Sequence, residues 1–210
     1  MFKRQKAGGS EPLRSFCEVC AVRTEYLREQ EKCSTINLKE NVGEGIAVQI
    51  KIRAYEEKDA ADCAVIWNEV VEEGVAFPQT EVLTEESGHA FFSAQSYTGL
   101  AYIAETGEIA GLYILHPNNV GRCGHICNAS YAVKSGLRGQ RIGEKLVRHC
   151  MEQAKQLGFG ILQFNAVVKT NLPALRLYQK LGFVPLGAIP GGFRMKDGSY
   201  EDIIPHYHLL

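Results

Sequence analysis

The segment that most constrains this chain is Ser135–Gly158, where S-G-L-R-G-Q-R-I-G leads into E-K-L-V-R-H-C-M-E-Q-A-K-Q-L-G. A valine-terminated strand enters a basic, glycine-bearing turn, and the turn enters an amphipathic helix. The first N–H groups of a helix have no intrahelical partner, and the helix dipole adds partial positive charge at that end. Gly139 and Gly143 put no side chain between backbone and anion. Arg138 and Arg141 add full charges. The pattern predicts a pyrophosphate site, for a nucleotide, a dinucleotide or coenzyme A.

The net charge of −1 offers no global pull toward nucleic acid or membrane, so any anion site is local. With 210 residues the chain has enough length for one sizeable core. No apolar run approaches a bilayer span, and basic Met1–Ser10 lacks the apolar stretch of a secretory signal, which predicts a cytoplasmic protein. Seven cysteines without an export signal argue against structural disulfides. Cys17-x-x-Cys20 with Cys33 invites a zinc site but lacks a fourth ligand, so no metal is expected. Residues 1–46, charged and aperiodic, are expected to form an N-terminal extension, partly disordered or a short helix.

The ordered domain, 47–210, begins with a strand in which Val48, Ile50 and Ile52 alternate with polar residues. Asp59 is the expected cap of a helix to Glu73, with Cys63, Ile66, Trp67, Val70 and Val71 along one side. Thr84-Glu-Glu-Ser opens a second helix bearing Phe91 and Phe92. Leu100–Ala104 and Ile109–Leu115 form a hairpin, and His125–Val133 is the next strand. The long helix Arg141–Leu157 carries Ile142, Leu146, Cys150, Ala154 and Leu157 on one side. Strand Ile161–Val168, helix Leu172–Leu181, and strands Phe183–Leu186 and Glu201–His208 complete the chain, the last two around the loop Pro190-Gly-Gly192. The order βααβββαβαββ predicts an α/β fold, a single domain with a mixed central sheet of six to seven strands and about four helices.

A Rossmann site requires G-x-G-x-x-G after an early strand, and a Walker loop requires Gly-Lys-Ser/Thr; neither is present. Coenzyme A remains. Ala129–Phe183 resembles the GNAT N-acetyltransferase superfamily, whose signature Arg/Gln-x-x-Gly-x-Gly/Ala begins here at Arg138 and ends at Gly143. Arg141 stands where glycine is usual. The second hallmark, N-x-x-A-x-x-L-Y-x-x-x-G-F, is matched from Asn171 through Ala174, Leu177 and Tyr178 to Phe183. Asn128-Ala-Ser130, Phe164-Asn165, Thr170-Asn171, Ile189-Pro-Gly-Gly and Asp202-Ile-Ile204 are similar to the fungal azetidine-2-carboxylate acetyltransferase group.

The resemblance implies acetyl-CoA as co-substrate and direct transfer of acetyl to the amine of a small, amino-acid-like molecule. It implies that Tyr131, Ala132 and Val133 bind the pantetheine arm with backbone groups, and that Arg138, Gly139, Gln140, Arg141, Ile142, Gly143 and Glu144 hold the pyrophosphate. Asn171 and Ala174 would lie beside the cofactor, and Tyr178 would protonate the departing thiolate. Asn128 and Asn165 would orient the acceptor as buried, partnered amides, with Phe77 at its mouth. No carboxylate lies between His125 and Val133, so the base is left between Glu69 and His125 acting through water. His116, lacking metal-ligand spacing, reads as structural or solvated. A protein or peptide acceptor and a non-catalytic acetyl-CoA sensor or scaffold are the alternatives. Fold analogy adds a homodimer, with His206–Leu210 extending a partner's sheet.

Overall fold

The computed structural model describes residues 49–210. The expectations for residues 1–46, for Cys17, Cys20 and Cys33, and for Val48 lie outside the described residues. Strand β1 is Ile50–Ala54, followed by helices α1 (Ala60–Glu73) and α2 (Glu85–Ser93). Strands β2 (Tyr97–Ile103), β3 (Ile109–Pro117) and β4 (Ile126–Val133) precede α3 (Ile142–Gln156). Next come β5 (Ile161–Phe164), α4 (Leu172–Lys180), β6 (Val184–Pro185), the hairpin β7 (Ile189–Arg194) and β8 (Tyr200–Ile203), and β9 (His206–Leu209). Seven strands form one sheet in the order β1-β2-β3-β4-β5-β9-β6, and β7 pairs with β8 alone. This is the mixed α/β fold expected from the sequence, and no described helix is long and apolar enough to cross a membrane.

Strand periodicity distributes the apolar residues to two faces. Leu112, Ile114 and Ala132 pack with Cys63, Ile66, Trp67 and Phe92 of α1 and α2. Tyr113, Leu115, Cys127 and Ala129 pack with Ile142, Leu146 and Cys150 of α3. Each buried aliphatic side chain on these stripes stabilises by about 1.5–3 kcal/mol. Gly99 is required by close packing, because a Cβ there would meet the buried Tyr113 ring at 2.3 Å. Leu157 departs from expectation: it follows the last turn of α3 and is 48% exposed.

Two further differences concern the end of the chain. Glu201–His208 is two strands rather than one, because Pro205 has no N–H for a ladder and the chain changes sheets there. The segment read as a loop around Gly192 is strand β7, which puts Phe193 against Val168 and Ile203. β9 lies between β5 and β6, paired with β5 along its whole length and with β6 at His206 and Tyr207. Asp59 holds the N-cap position of α1 as expected, but its side chain makes no capping bond there; its carboxylate accepts from Glu56 N at 2.9 Å and binds Arg53. Thr84 does cap α2, accepting from Ser87 N at 3.1 Å.

Candidate active site

The sheet opens where β4 and β5 meet. These strands pair in parallel only at Ile126↔Ile161 and Cys127↔Leu162. β4 continues to Val133, whereas β5 stops at Phe164, four residues short of the expected Val168. Beyond Leu162 the strands diverge, leaving one edge of β4 without a strand partner.

Which backbone groups face the gap follows from ladder alternation. Lys134 N donates to Ala110 O on β3 at 3.0 Å. Alternate residues use the same edge, so Ala132 and Ser130 also spend their N–H groups on β3. The N–H groups of Ala129, Tyr131 and Val133 therefore point into the gap. Asn128 Oδ1 accepts from Ala129 N at 2.8 Å, and the Val133 carbonyl accepts from Arg138 Nε at 3.2 Å. Tyr131 and Val133 N–H stay unspent, as two donors in register along one strand.

The gap continues into a cleft of about 680 Å³ that passes through the sheet. On the α3 side it is lined by Tyr131, Gly143, Phe164, Asn171, Ala174 and Tyr178. On the α1 and α2 side it is lined by Phe77, Gln79, Phe91, His116, Asn128 and Asn165. Eight of the residues singled out from sequence thus share one cavity. Phe77 is itself buried, with its ring centroid 4.3 Å from that of Trp67, and presents an edge to the cleft.

The turn before α3 lies beside this cleft. Arg141 sits at the helix N-cap with φ 61°, among the described residues the one non-glycine residue with positive φ. A left-handed backbone is one that L side chains disfavour and glycine adopts freely. No side chain caps α3, so the N–H groups of Ile142, Gly143 and Glu144 are available to an anion. Gly139, at φ 85°, has open space where a Cβ would stand. Gln140 and Arg141 are exposed.

Arg138 also has protein partners. Its Nη1 is 2.7 Å from Glu73 Oε1, so with the bond to Val133 O it braces the turn against α1. The Glu144 carboxylate turns to Arg148 and Lys180, joining α3 to α4, and offers an anion only its N–H. Ala132 faces β3 with its backbone and the α1 side with its methyl. Glu69 Oε2 accepts from Ser135 N at 2.8 Å and does not line the cleft. His125 is exposed and also lies off the cleft.

Tyr178 stands beside Phe164, with ring centroids 4.5 Å apart. Burial pushes its phenol well above the ordinary value, so it stays protonated. That makes it a hydrogen-bond donor and a weaker acid than an exposed phenol. The Tyr131 hydroxyl is buried without a partner, and burial also raises it. Asn171 Oδ1 accepts from Ala174 N at 3.3 Å and caps α4.

Asn128 and Asn165, expected as buried amides, are not buried. Asn128 is half-buried and Asn165 is exposed. Asn165 exchanges bonds with Asn118, donating to its Oδ1 at 2.7 Å, and accepts from Gln163 Nε2 at 2.9 Å. Asn118 escaped sequence reasoning, because only the fold brings it to Asn165. His116 escaped too; its signal was register, since it pairs directly with Asn128 across β3 and β4. Among the described residues, no Asp, Glu, Lys or Arg lines the cleft.

Comparison with known proteins agrees with this geometry. The profile of the acetyltransferase (GNAT) family matches residues 63–183. N-acetyltransferase aca1 of Schizosaccharomyces pombe is 34% identical over 104 residues, 49% of this chain and 50% of aca1. The chain therefore spans about half the length of that relative. A GCN5-related N-acetyltransferase from Kribbella flavida superposes with TM-score 0.71 at 29% identity, covering 77% of this chain and 98% of that one. A phosphinothricin acetyltransferase from Sinorhizobium meliloti, solved with acetyl-CoA, shares the fold at TM-score 0.71 and 19% identity, with 77% and 88% coverage.

Proposed function

The chain belongs to the GNAT acetyltransferase family, and from that premise we propose that it transfers acetyl from acetyl-CoA to the amine of a small, amino-acid-like acceptor. The observation that carries this reading is the parted sheet, with the Tyr131 and Val133 N–H groups unspent between an anion-binding turn and a polar acceptor wall. Acetyl-CoA supplies the acetyl group as a thioester.

The N–H groups of Tyr131 and Val133 bind the amide-bearing arm in strand fashion and turn the thioester carbonyl into the gap. Such fixed donors, aimed where negative charge develops, are worth about 3–4 kcal/mol each in transition-state stabilisation. The first turn of α3, with Gly139 open beside it, receives the diphosphate. Asn128 is held by its bond to Ala129 N, which leaves its amide NH₂ free to orient an acceptor carbonyl or carboxylate. The Asn118–Asn165 pair forms the opposite polar edge. Tyr178 donates a hydrogen bond to the leaving sulfur. A small acceptor is favoured over a basic peptide because the described cleft wall has no carboxylate to receive a cationic tail.

Thiol release from acetyl-CoA tests the reading, measured with amino acids, cyclic imino acids and phosphinothricin in one panel and short peptides in another. Small amines are expected to give turnover and peptides little. Turnover confined to peptides would reassign the acceptor. Acetyl-CoA binding without release for any amine would favour a sensor, a reading that the missing carboxylate also supports.

A further inference from the structure

An acceptor amine is an ammonium ion near neutral pH and must lose a proton before its lone pair can attack. The cleft wall narrows the candidates for that proton. Its titratable side chains are His116, Tyr131 and Tyr178, and burial holds both phenols neutral. The other polar groups on the acceptor side, Gln79, Gln95, Asn128, Ser130 and Asn165, do not titrate. Imidazole is the side chain suited to exchange a proton near neutrality.

The tautomer of His116 is fixed by its neighbour. His116 Nδ1 lies 3.0 Å from the Pro117 carbonyl oxygen, which can only accept. Nδ1 therefore carries the hydrogen, and in neutral imidazole Nε2 is left with the lone pair. Position supports the same role. His116 is the cross-strand partner of Asn128, so the two side chains rise from the same face of the sheet with Cβ atoms about 5 Å apart. Ile114, two residues earlier, lines the same wall.

Resting on the proposed acetyl transfer, we infer that His116 is a catalytic residue, the base that deprotonates the acceptor. Nε2 takes one proton from the ammonium nitrogen and becomes part of an imidazolium. The freed lone pair forms the C–N bond, and the C–S pair leaves with sulfur. The second nitrogen proton passes through the Tyr178 hydroxyl to the thiolate, giving free thiol. The proton on His116 returns to solvent. Amide, thiol and one released proton balance the reaction for primary and secondary amines.

The test compares His116→Gln with the unaltered protein using the best small amine from the panel. The variant is expected to lose about 10²–10⁴-fold in kcat/KM. Its acetyl-CoA Kd by calorimetry should stay within twofold, which reports an intact fold. The unaltered protein should show an acid limb in kcat/KM falling tenfold per pH unit. In the variant that limb should move to higher pH, following the acceptor's own ionisation. A second variant, His116→Ala, should regain activity with added imidazole. A His116→Gln protein with unchanged rate and limb, or a His116→Ala protein without imidazole rescue, overturns the assignment. If the unaltered protein binds acetyl-CoA but releases no thiol with any amine, the acetyl-transfer reading fails and takes this inference with it.

Discussion

Arg141 holds a left-handed backbone at φ 61° on an exposed residue whose side chain caps nothing. For a residue with a Cβ this conformation costs about 1–2 kcal/mol. Arg141→Gly removes that cost but gives the unfolded chain extra freedom worth about 0.5–1 kcal/mol. The net gain is about 0.5–1 kcal/mol, and for a chain of this size that is a rise of about 1–4 °C in Tm. Arg141→Ala keeps the Cβ, and hence the strain, while deleting the charge. Its stability should stay within about 0.5 kcal/mol of the parent. Scanning calorimetry and urea titration of the three proteins measure both effects. Titration with acetyl-CoA then separates backbone from charge: an affinity loss common to both variants belongs to the guanidinium, and any difference between them belongs to the Cβ. A glycine variant no more stable than the alanine variant would refute the strain reasoning.

Three further outcomes can be checked by unfolding. Asn171→Ala should lower stability by about 0.5–1 kcal/mol by uncapping α4, the low end reflecting a 3.3 Å bond. Gly99→Ala should cost about 1–3 kcal/mol or more, since its Cβ would meet the Tyr113 ring, and aromatic near-UV circular dichroism should change with it. Burial alone would raise Asp59, but the Arg53 hydrogen bonds and the Glu56 N–H outweigh it and hold the carboxyl below its ordinary value. Its contribution is therefore complete above the unfolded pKa of about 4 and disappears as pH falls through the lower folded value. Asp59→Asn should cost about 2–3 kcal/mol at pH 7 and flatten the acid limb of stability against pH; an unchanged limb would assign it to other groups.

Much of the fold was legible because its helices carry long stripes of one period. Ile142, Leu146, Cys150 and Ala154 recur every four residues, and all are buried. The late strands were harder. Glu201–His208 reads as one strand, and only the missing N–H of Pro205 divides it between two sheets. The candidate site was legible at Gly139 and Gly143, since a basic turn entering a helix announces itself locally, whereas the Tyr131–Val133 edge came only with the family resemblance. It was opaque where side chains met across long separations. The pairing of Arg138 with Glu73 could not be read from sequence, and a lone histidine at 116 meant nothing before its register with Asn128 was known.

α1 and the chain that leaves it reach both the turn before α3 and the cleft wall. Glu69 and Glu73, one turn apart, grip Ser135 and Arg138 of the turn before α3, while the chain leaving the helix delivers Phe77 and Gln79 to the cleft wall. A donor whose negative charge draws Arg138 away must take it from Glu73, loosening the final turn of α1 and the wall that follows. On the proposed acetyl transfer, filling one half is thereby expected to alter the other. Initial-rate patterns should then be ordered, with the acyl donor entering first, and Glu73→Gln should make them random; a random pattern in the unaltered protein would mean that the two sides act independently.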